Sequence, residues 1–310
     1  MEGESTDLER SVLRTAVWFS LFSYPLTAFE LWKWLMLPGR LYGLGEVCAV
    51  LEKSRWLEGK MFKQDGFYAL GGSVPIAGLV KERHARFLDA ERKFRALRRA
   101  VRFFSLLPCV RAVGAVNTMA WWSTAPRSDI DLYVITRPGR IWSSRFWLVL
   151  PFLLSGRRPA GSGSEGSVQD PFCFSFFSAH DALQLESLCL PRDYYMSFWV
   201  KSIVPVLDRD GWFAQLEATN RWSSKVLPNV RLRTMHHRHC LARLPALVLQ
   251  PAFLEPMLRR LQQRRLPASS GELANVDTRV VMNDRTLKFH EGDRRAEFRD
   301  RFEALFASCV

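Results

Sequence analysis

Asp129 and Asp131 lie in the run Ser128-Asp129-Ile130-Asp131-Leu132-Tyr133-Val134-Ile135-Thr136. In an extended strand, residues two apart project from the same face. Leu132, Val134 and Ile135 continue the segment with apolar and β-branched side chains, which predicts a buried strand. Two carboxylates side by side at the start of such a strand repel each other and lose hydration, a cost that a cation between them relieves. Hard oxygen donors suit Mg²⁺, which usually completes its shell with substrate phosphates when a protein offers one or two carboxylates. The pair therefore predicts a Mg²⁺ site serving a phosphorylated substrate. An isolated Asp-x-Asp is common, with one Asp capping a turn and the other in water, so the neighbouring residues must carry the reading.

Upstream, Val110-Arg111-Ala112-Val113-Gly114-Ala115-Val116 reads as a second short strand, followed by Asn117-Thr118-Met119-Ala120 and a loop to Ser128. A strand, a small polar turn, a short helix and a second strand opening with Ser-Asp-Ile-Asp-Leu resemble the polymerase-β-like nucleotidyltransferase superfamily. There a Gly-Ser turn precedes Asp-x-Asp by a short spacer. The resemblance implies an α+β fold, a small mixed or antiparallel sheet flanked by helices. It also implies transfer of a nucleoside monophosphate from an NTP to an acceptor hydroxyl. On that reading Asp129 and Asp131 are catalytic and hold Mg²⁺, and Ser128 orients them beside the nucleotide. Asn117 and Thr118 stand at the Gly-Ser position and bind the triphosphate. Thr118 keeps a hydroxyl, while Asn117 adds a side chain but tolerates left-handed backbone angles. Arg140 and Arg145 follow closely enough in sequence to be expected at the triphosphate.

The family carries a third carboxylate on a later strand, as metal ligand and general base. The best strand here, Phe172-Cys173-Phe174-Ser175-Phe176-Phe177, contains no acid. Asp170, just before it, is the favoured third catalytic acid, with Asp181 and Glu186 as other candidates. Two further readings stay open. One is a catalytically degenerate nucleotide-binding or scaffold protein; the other is a winged-helix nucleic-acid binder with a vestigial core.

Three regions must position these residues: 8–72, 76–182 and 183–310. In the first, Leu8 to Tyr24 has helical apolar spacing and ends before Pro25, and Thr27 is an N-cap for Phe29 to Leu35. Glu46 to Lys53 is a third helix, and Trp56–Lys60 with Gly66–Leu70 reads as a hairpin. Three helices and a hairpin resemble a winged-helix module. Its third helix is poor in the Arg, Asn and Gln that read bases, which favours a protein-interaction or scaffolding role. A long helix, Ile76 to Leu106, carries Lys81, Arg83, Arg86, Arg92, Lys93, Arg95, Arg98 and Arg99 on a basic face, read as solvated or as a phosphate-facing ridge. Pro159 to Ser167 is a Gly/Ser-rich loop, a lid or a surface insertion. The region from Leu183 is expected to be mostly helical. Within it, Met235-His236-His237-Arg238-His239-Cys240 reads as a basic patch rather than a metal site, because the flanking arginines would repel a cation. The whole chain resembles a group of uncharacterised bacterial proteins with a winged-helix-like N-terminus, a nucleotidyltransferase core and a helical C-terminal part. Its landmarks include Phe22 to Thr27, Leu227-Pro228-Asn229 and Lys288-Phe289-His290.

A chain of 310 residues with 48% hydrophobic and 13% aromatic content is expected to fold around a sizeable core. Its net charge of +13 implies affinity for polyanions, or alternatively an Arg-rich codon bias with a basic surface. The longest apolar run, Phe146 to Leu154, is too short to span a bilayer and contains Pro151. An acidic N-terminus without a signal pattern and six scattered cysteines point to a reduced, cytoplasmic protein. The expected partners are an NTP and an acceptor that is a small molecule, a protein or a nucleic acid. A protein partner is also expected at the N-terminal module.

Overall fold

The computed structural model describes residues 5–72, 74–156, 170–231 and 251–310. Helix α1 (Asp7–Ser20) starts in a capping box, with the Thr6 hydroxyl and the Glu9 carboxylate each accepting from the other's backbone N–H. It ends at Ser20, short of the expected Tyr24, and Ser23 adopts a φ of 51° through which a helix cannot continue. Strand β1 (Leu26–Thr27) leads into α2 (Ala28–Lys33), where Thr27 and Glu30 form the expected N-terminal cap as a second capping box. Helix α3 (Leu44–Lys53) precedes a hairpin of β2 (Met61–Gln64) and β3 (Phe67–Leu70). The hairpin lies C-terminal to the expected Trp56–Lys60 strand. Asp65 and Gly66, at φ 51° and 80°, make a two-residue turn that sets the register Gln64 to Phe67. Strand β1 pairs with β3, giving a three-stranded antiparallel sheet.

Helix α4 (Ile76–Phe104) matches the long helix read from its apolar stripe. After it come β4 (Val110–Ala115), α5 (Asn117–Ala120), β5 (Ile130–Thr136), α6 (Ile141–Leu154) and β6 (Phe172–Ala179). Then follow α7 (Tyr194–Ser202), β7 (Val204–Asp208), α8 (Trp212–Thr219), α9 (Ser223–Val226), α10 (Glu255–Arg264) and α11 (Ala268–Glu272). The chain closes with β8 (Val280–Met282), β9 (Thr286–Phe289) and α12 (Arg295–Cys309). The central sheet has the order β7-β4-β5-β6-β9-β8, with β5 and β6 parallel and the other pairs antiparallel. The fold class is thus α+β with a mixed sheet. The region beyond 183 is less purely helical than expected, because it supplies β7, β8 and β9. These runs are too short to declare themselves by periodicity, and sheet edges make them strands.

Alternation along β5 sorts its side chains between two layers. Ile130, Leu132 and Val134 pack toward α4, α6 and α10, while Tyr133 and Ile135 pack toward α7 and α8. The second layer is tight at Gly114, where a Cβ would lie 2.5 Å from Ile203 Cγ2 and 2.8 Å from the Phe213 ring. A third apolar cluster joins the N-terminal region to α7 and α12. There Trp18 stacks on Phe198 at 5.1 Å and meets Phe302 edge-on at 5.5 Å. The basic residues of α4 serve this assembly. Arg83 pairs with Glu30 and also donates to the Pro25 carbonyl; Arg86 donates to the Phe22 carbonyl. Lys93 is fully buried, which corrects its placement on a solvated face. Arg95, Arg98 and Arg99 remain exposed. Among the described residues, no helix is long and apolar enough to cross a membrane. The Gly/Ser loop 159–167 and the cluster Met235 to Cys240 lie outside the described residues.

Candidate active site

Because Ile130 and Leu132 face α4 and α6, Asp131 projects from the opposite face, toward α7, and Asp129, one residue before β5, is near enough for its charge to act on Asp131. The turn between β4 and α5 closes over them, with the Val116 N–H donating to the Asp131 carbonyl at 3.1 Å. Asn117 takes a positive φ of 52°, a conformation that Gly adopts freely and that Asn and Asp tolerate better than most side-chain-bearing residues. Its amide donates to the Asp131 carboxylate, and its Oδ1 accepts from the Tyr195 hydroxyl of α7 at 3.4 Å. Thr118 is exposed beside it.

Burial raises the Asp131 pKa to about 6, and the neighbouring Asp129 charge adds to this. Hydrogen bonds from Asn117 and Cys173 and the charge of Lys93 oppose the rise only in part. Asp129 is likewise raised by burial, against the pull of Lys93. Lys93 sets the approach to the pair. Its Nζ donates to the Ala125 carbonyl at 2.6 Å and to the Ser128 carbonyl and hydroxyl at 2.5 and 2.9 Å. Ser128 is thus part of the turn that delivers Asp129, its hydroxyl also bonded to the Ala125 carbonyl at 3.0 Å.

The position where a third carboxylate was sought is occupied by a thiol and a hydroxyl. Cys173 is the register partner of Asp131, and β6 then carries one extra residue before Phe176 pairs with Tyr133. This bulge lets Cys173 hydrogen-bond to both Asp131 and Ser175. Burial and the two carboxylates push the Cys173 thiol far above its ordinary range.

Asp170, the favoured third acid, is engaged by Arg92. Its Oδ1 accepts from Arg92 at 2.7 Å and its Oδ2 also pairs with Arg92, which holds it against α4. Asp181 and Glu186 follow the far end of β6, and Asp181 pairs with Arg285 there. Arg140 and Arg145 are also displaced from the expected triphosphate site. Arg140 comes after Thr136, itself five residues beyond Asp131, about 17 Å along a strand at about 3.3 Å per residue. Arg145 lies on α6, across the sheet from the Asp pair, bonded to Gln262 at 2.7 Å and stacked over Phe289 at 4.9 Å. Nearness in sequence misled because the strand carries its two ends apart.

Sequence reasoning missed two basic groups on the α7 face. Lys288 pairs in register with Phe176; its Nζ donates to the Thr278 carbonyl and lies 3.6 Å from Asp293 Oδ2. Burial, helped by Arg295, lowers its pKa to about 8. His290 is pulled down to about 4 by burial and by Lys288, and among the described residues its Nδ1 has no hydrogen-bond partner. The alternation Lys288-Phe289-His290 was the available signal for a strand with both polar side chains on one face.

Two cavities flank Asn117. The larger, about 330 Å³, lies between Trp18, Phe22, Trp121, Phe198 and Phe298, with Asn117 and Thr118 in its lining. The smaller, about 160 Å³, shares Asn117, Tyr195 and Phe298 with it and adds Lys288, His290 and Arg295. Among the described residues no group of three or more His, Cys, Asp or Glu side chains is arranged around a metal position. The oxygen donors at the Asn117 turn include the carboxylates of Asp129 and Asp131, while Asp293, on the lining of the smaller cavity, is paired with Arg295 and Lys288. The Asp129 and Asp131 pair fits Mg²⁺ completed by phosphate oxygens, and a cation there would relieve the charge clash and burial cost that raise Asp131. In comparisons with known proteins, no family model, no curated protein and no solved structure matches this chain.

Proposed function

We propose that this chain binds an NTP with Mg²⁺ and transfers its nucleoside monophosphate to an acceptor hydroxyl. The observation that carries the reading is the juxtaposition of Asp129 and Asp131, at the start of β5, with the positive-φ Asn117 turn. Asp129 and Asp131 would hold the cation, which when bound neutralises phosphate charge and stabilises an in-line displacement. Thr118 and the Asn117 backbone hold the triphosphate. Lys93 fixes the turn that delivers Asp129, and Tyr195 orients the Asn117 amide toward Asp131. The three helices and three-stranded sheet of the N-terminal region support a winged-helix-like module in a scaffolding role. Its docking on α7 and α12 agrees with a structural part for it.

A second reading is favoured by Asp170 being spent on Arg92 and by Cys173 and Ser175 standing beside Asp131. It is a nucleotide binder without transferase activity. A missing general base typically removes 10²- to 10⁴-fold in rate, so slow or absent transfer separates the two. The test is thermal unfolding with Mg²⁺ and each NTP, followed by label transfer from α-labelled NTP. At ligand about 100 times Kd, native-state binding should add about 2.7 kcal/mol of stability, and Asp129→Asn/Asp131→Asn should abolish that gain. Equal gains in both proteins would end the proposal. Binding without transfer to any acceptor would select the second reading.

A further inference from the structure

We infer that the aromatic cavity between α1, α7 and α12 is the nucleobase site of the bound nucleotide, an inference that rests on the nucleotide reading above. Its position comes first. Asn117, Thr118, Trp121 and Ser123, all on the short segment that begins at the candidate phosphate turn, line this cavity. The Ser123 N–H donates to the Thr118 carbonyl at 3.0 Å, so the segment is closed on itself and presents phosphate-side and ring-side groups together. The walls are flat rings from separate parts of the chain. Trp121 lies 5.1 Å from Phe19 and 6.0 Å from Phe198, and Phe298 lies 5.0 Å from Phe22 and stacks on Tyr195 at 5.8 Å. Aromatic faces receive bases by stacking whatever the base's hydrogen-bonding edge.

Size and polarity agree. A volume of about 330 Å³ is that of a small-molecule site rather than a packing defect. Ser123, Thr118 and Asn117, together with Tyr24, Arg86, Tyr195 and Ser202, are polar groups on its lining able to meet a base edge or a ribose hydroxyl. On the other side of Asn117 and Tyr195, the smaller cavity carries Lys288, Arg294 and Arg295 together with Asp293, which pairs with Lys288 and Arg295. The two cavities thus have an aromatic and a charged character on either side of one residue. A nucleotide likewise runs from an aromatic base to charged phosphates.

The experiment compares binding of Mg²⁺-ATP with binding of Mg²⁺-tripolyphosphate by calorimetry, with tryptophan emission as a second readout because Trp18, Trp121 and Trp199 line the cavity. ATP should bind roughly five- to 150-fold more tightly than tripolyphosphate, the range for one stacked base, and should alter the emission where tripolyphosphate does not. Ser123→Phe, which places a ring in the cavity, should reduce ATP affinity to that of tripolyphosphate and leave tripolyphosphate binding unchanged. Ser123→Ala removes the hydroxyl but leaves the ring walls, and should keep most of the preference. If Ser123→Phe does not fold, Phe298→Leu removes one stacking wall and should narrow the preference severalfold. Equal binding of ATP and tripolyphosphate by the natural protein would overturn the base site and leave the phosphate site standing. A preference left undiminished by Ser123→Phe or Phe298→Leu in a folded variant would overturn it as well. Binding of neither ligand would remove both the phosphate site and the base site.

Discussion

Replacing Asp131 by Asn should make the protein more stable at neutral pH, and the gain should appear only as pH rises. The carboxyl ionises near 3.8 in the unfolded chain and about 6 in the folded one. Between those values the folded state binds more protons, so the stability that Asp131 contributes is fully present below the lower value and is lost as pH climbs through the higher. At about 1.4 kcal/mol per tenfold change in proton affinity, the loss reaches about 3 kcal/mol at pH 7.5, with about half gone by pH 5. Residual water contact at this carboxylate makes that an upper bound. The natural protein alone will not display the effect cleanly, because His290 works in the opposite sense. Its folded pKa of about 4 lies below the ordinary 6.5, so its contribution is present above 6.5 and lost as pH falls through 4. The difference between variant and natural protein cancels the His290 part. Urea unfolding at pH 4, 5, 6 and 7.5 in EDTA should give nearly equal stabilities at pH 4. The variant should lead by an increasing margin that levels off above pH 6.5. A margin that stays flat, or reverses with rising pH, would refute the claim that Asp131 is a desolvated carboxylate pressed against Asp129.

Asp170→Asn should leave Mg²⁺-NTP binding intact and lower stability by about 1–3 kcal/mol, since it breaks a partly buried pair with Arg92; denaturant melts alongside nucleotide titration will show whether binding moves instead. Lys93→Met should cost about 2–4 kcal/mol and weaken nucleotide binding as well, because three acceptors in the 125–128 turn lose their donor; unchanged binding in a folded variant would separate Lys93 from the site. Gly114→Ala should cost about 1–3 kcal/mol by overpacking against Ile203 and Phe213, read from the urea midpoint, and a neutral result would show that α8 can move.

Local sequence was sufficient wherever the cause was local. The capping pairs Thr6–Glu9 and Thr27–Glu30 set two helix starts, and Thr27 was legible as a cap before any tertiary contact. The apolar stripe of α4, the β-branched run of β5 and the two-residue spacing of Asp129 and Asp131 dictate a long helix, a buried strand and two neighbouring carboxylates at its start. Asn117 at a position needing positive φ is legible for the same reason: backbone sterics act within a residue or two. What the sequence could not determine is which distant groups share the face of Asp131. Arg140 and Arg145 follow the Asp pair closely but are carried to the strand's other end and across the sheet. Asp170 precedes the right strand but is captured by Arg92, 78 residues away. Lys288, from the end of the chain, reaches the same face only because β9 pairs with β6. Short strands such as β7 and β8 take their identity from available sheet edges. Pairing, burial and charge capture act through space, and only the tertiary structure decided which side chains meet beside Asp129 and Asp131.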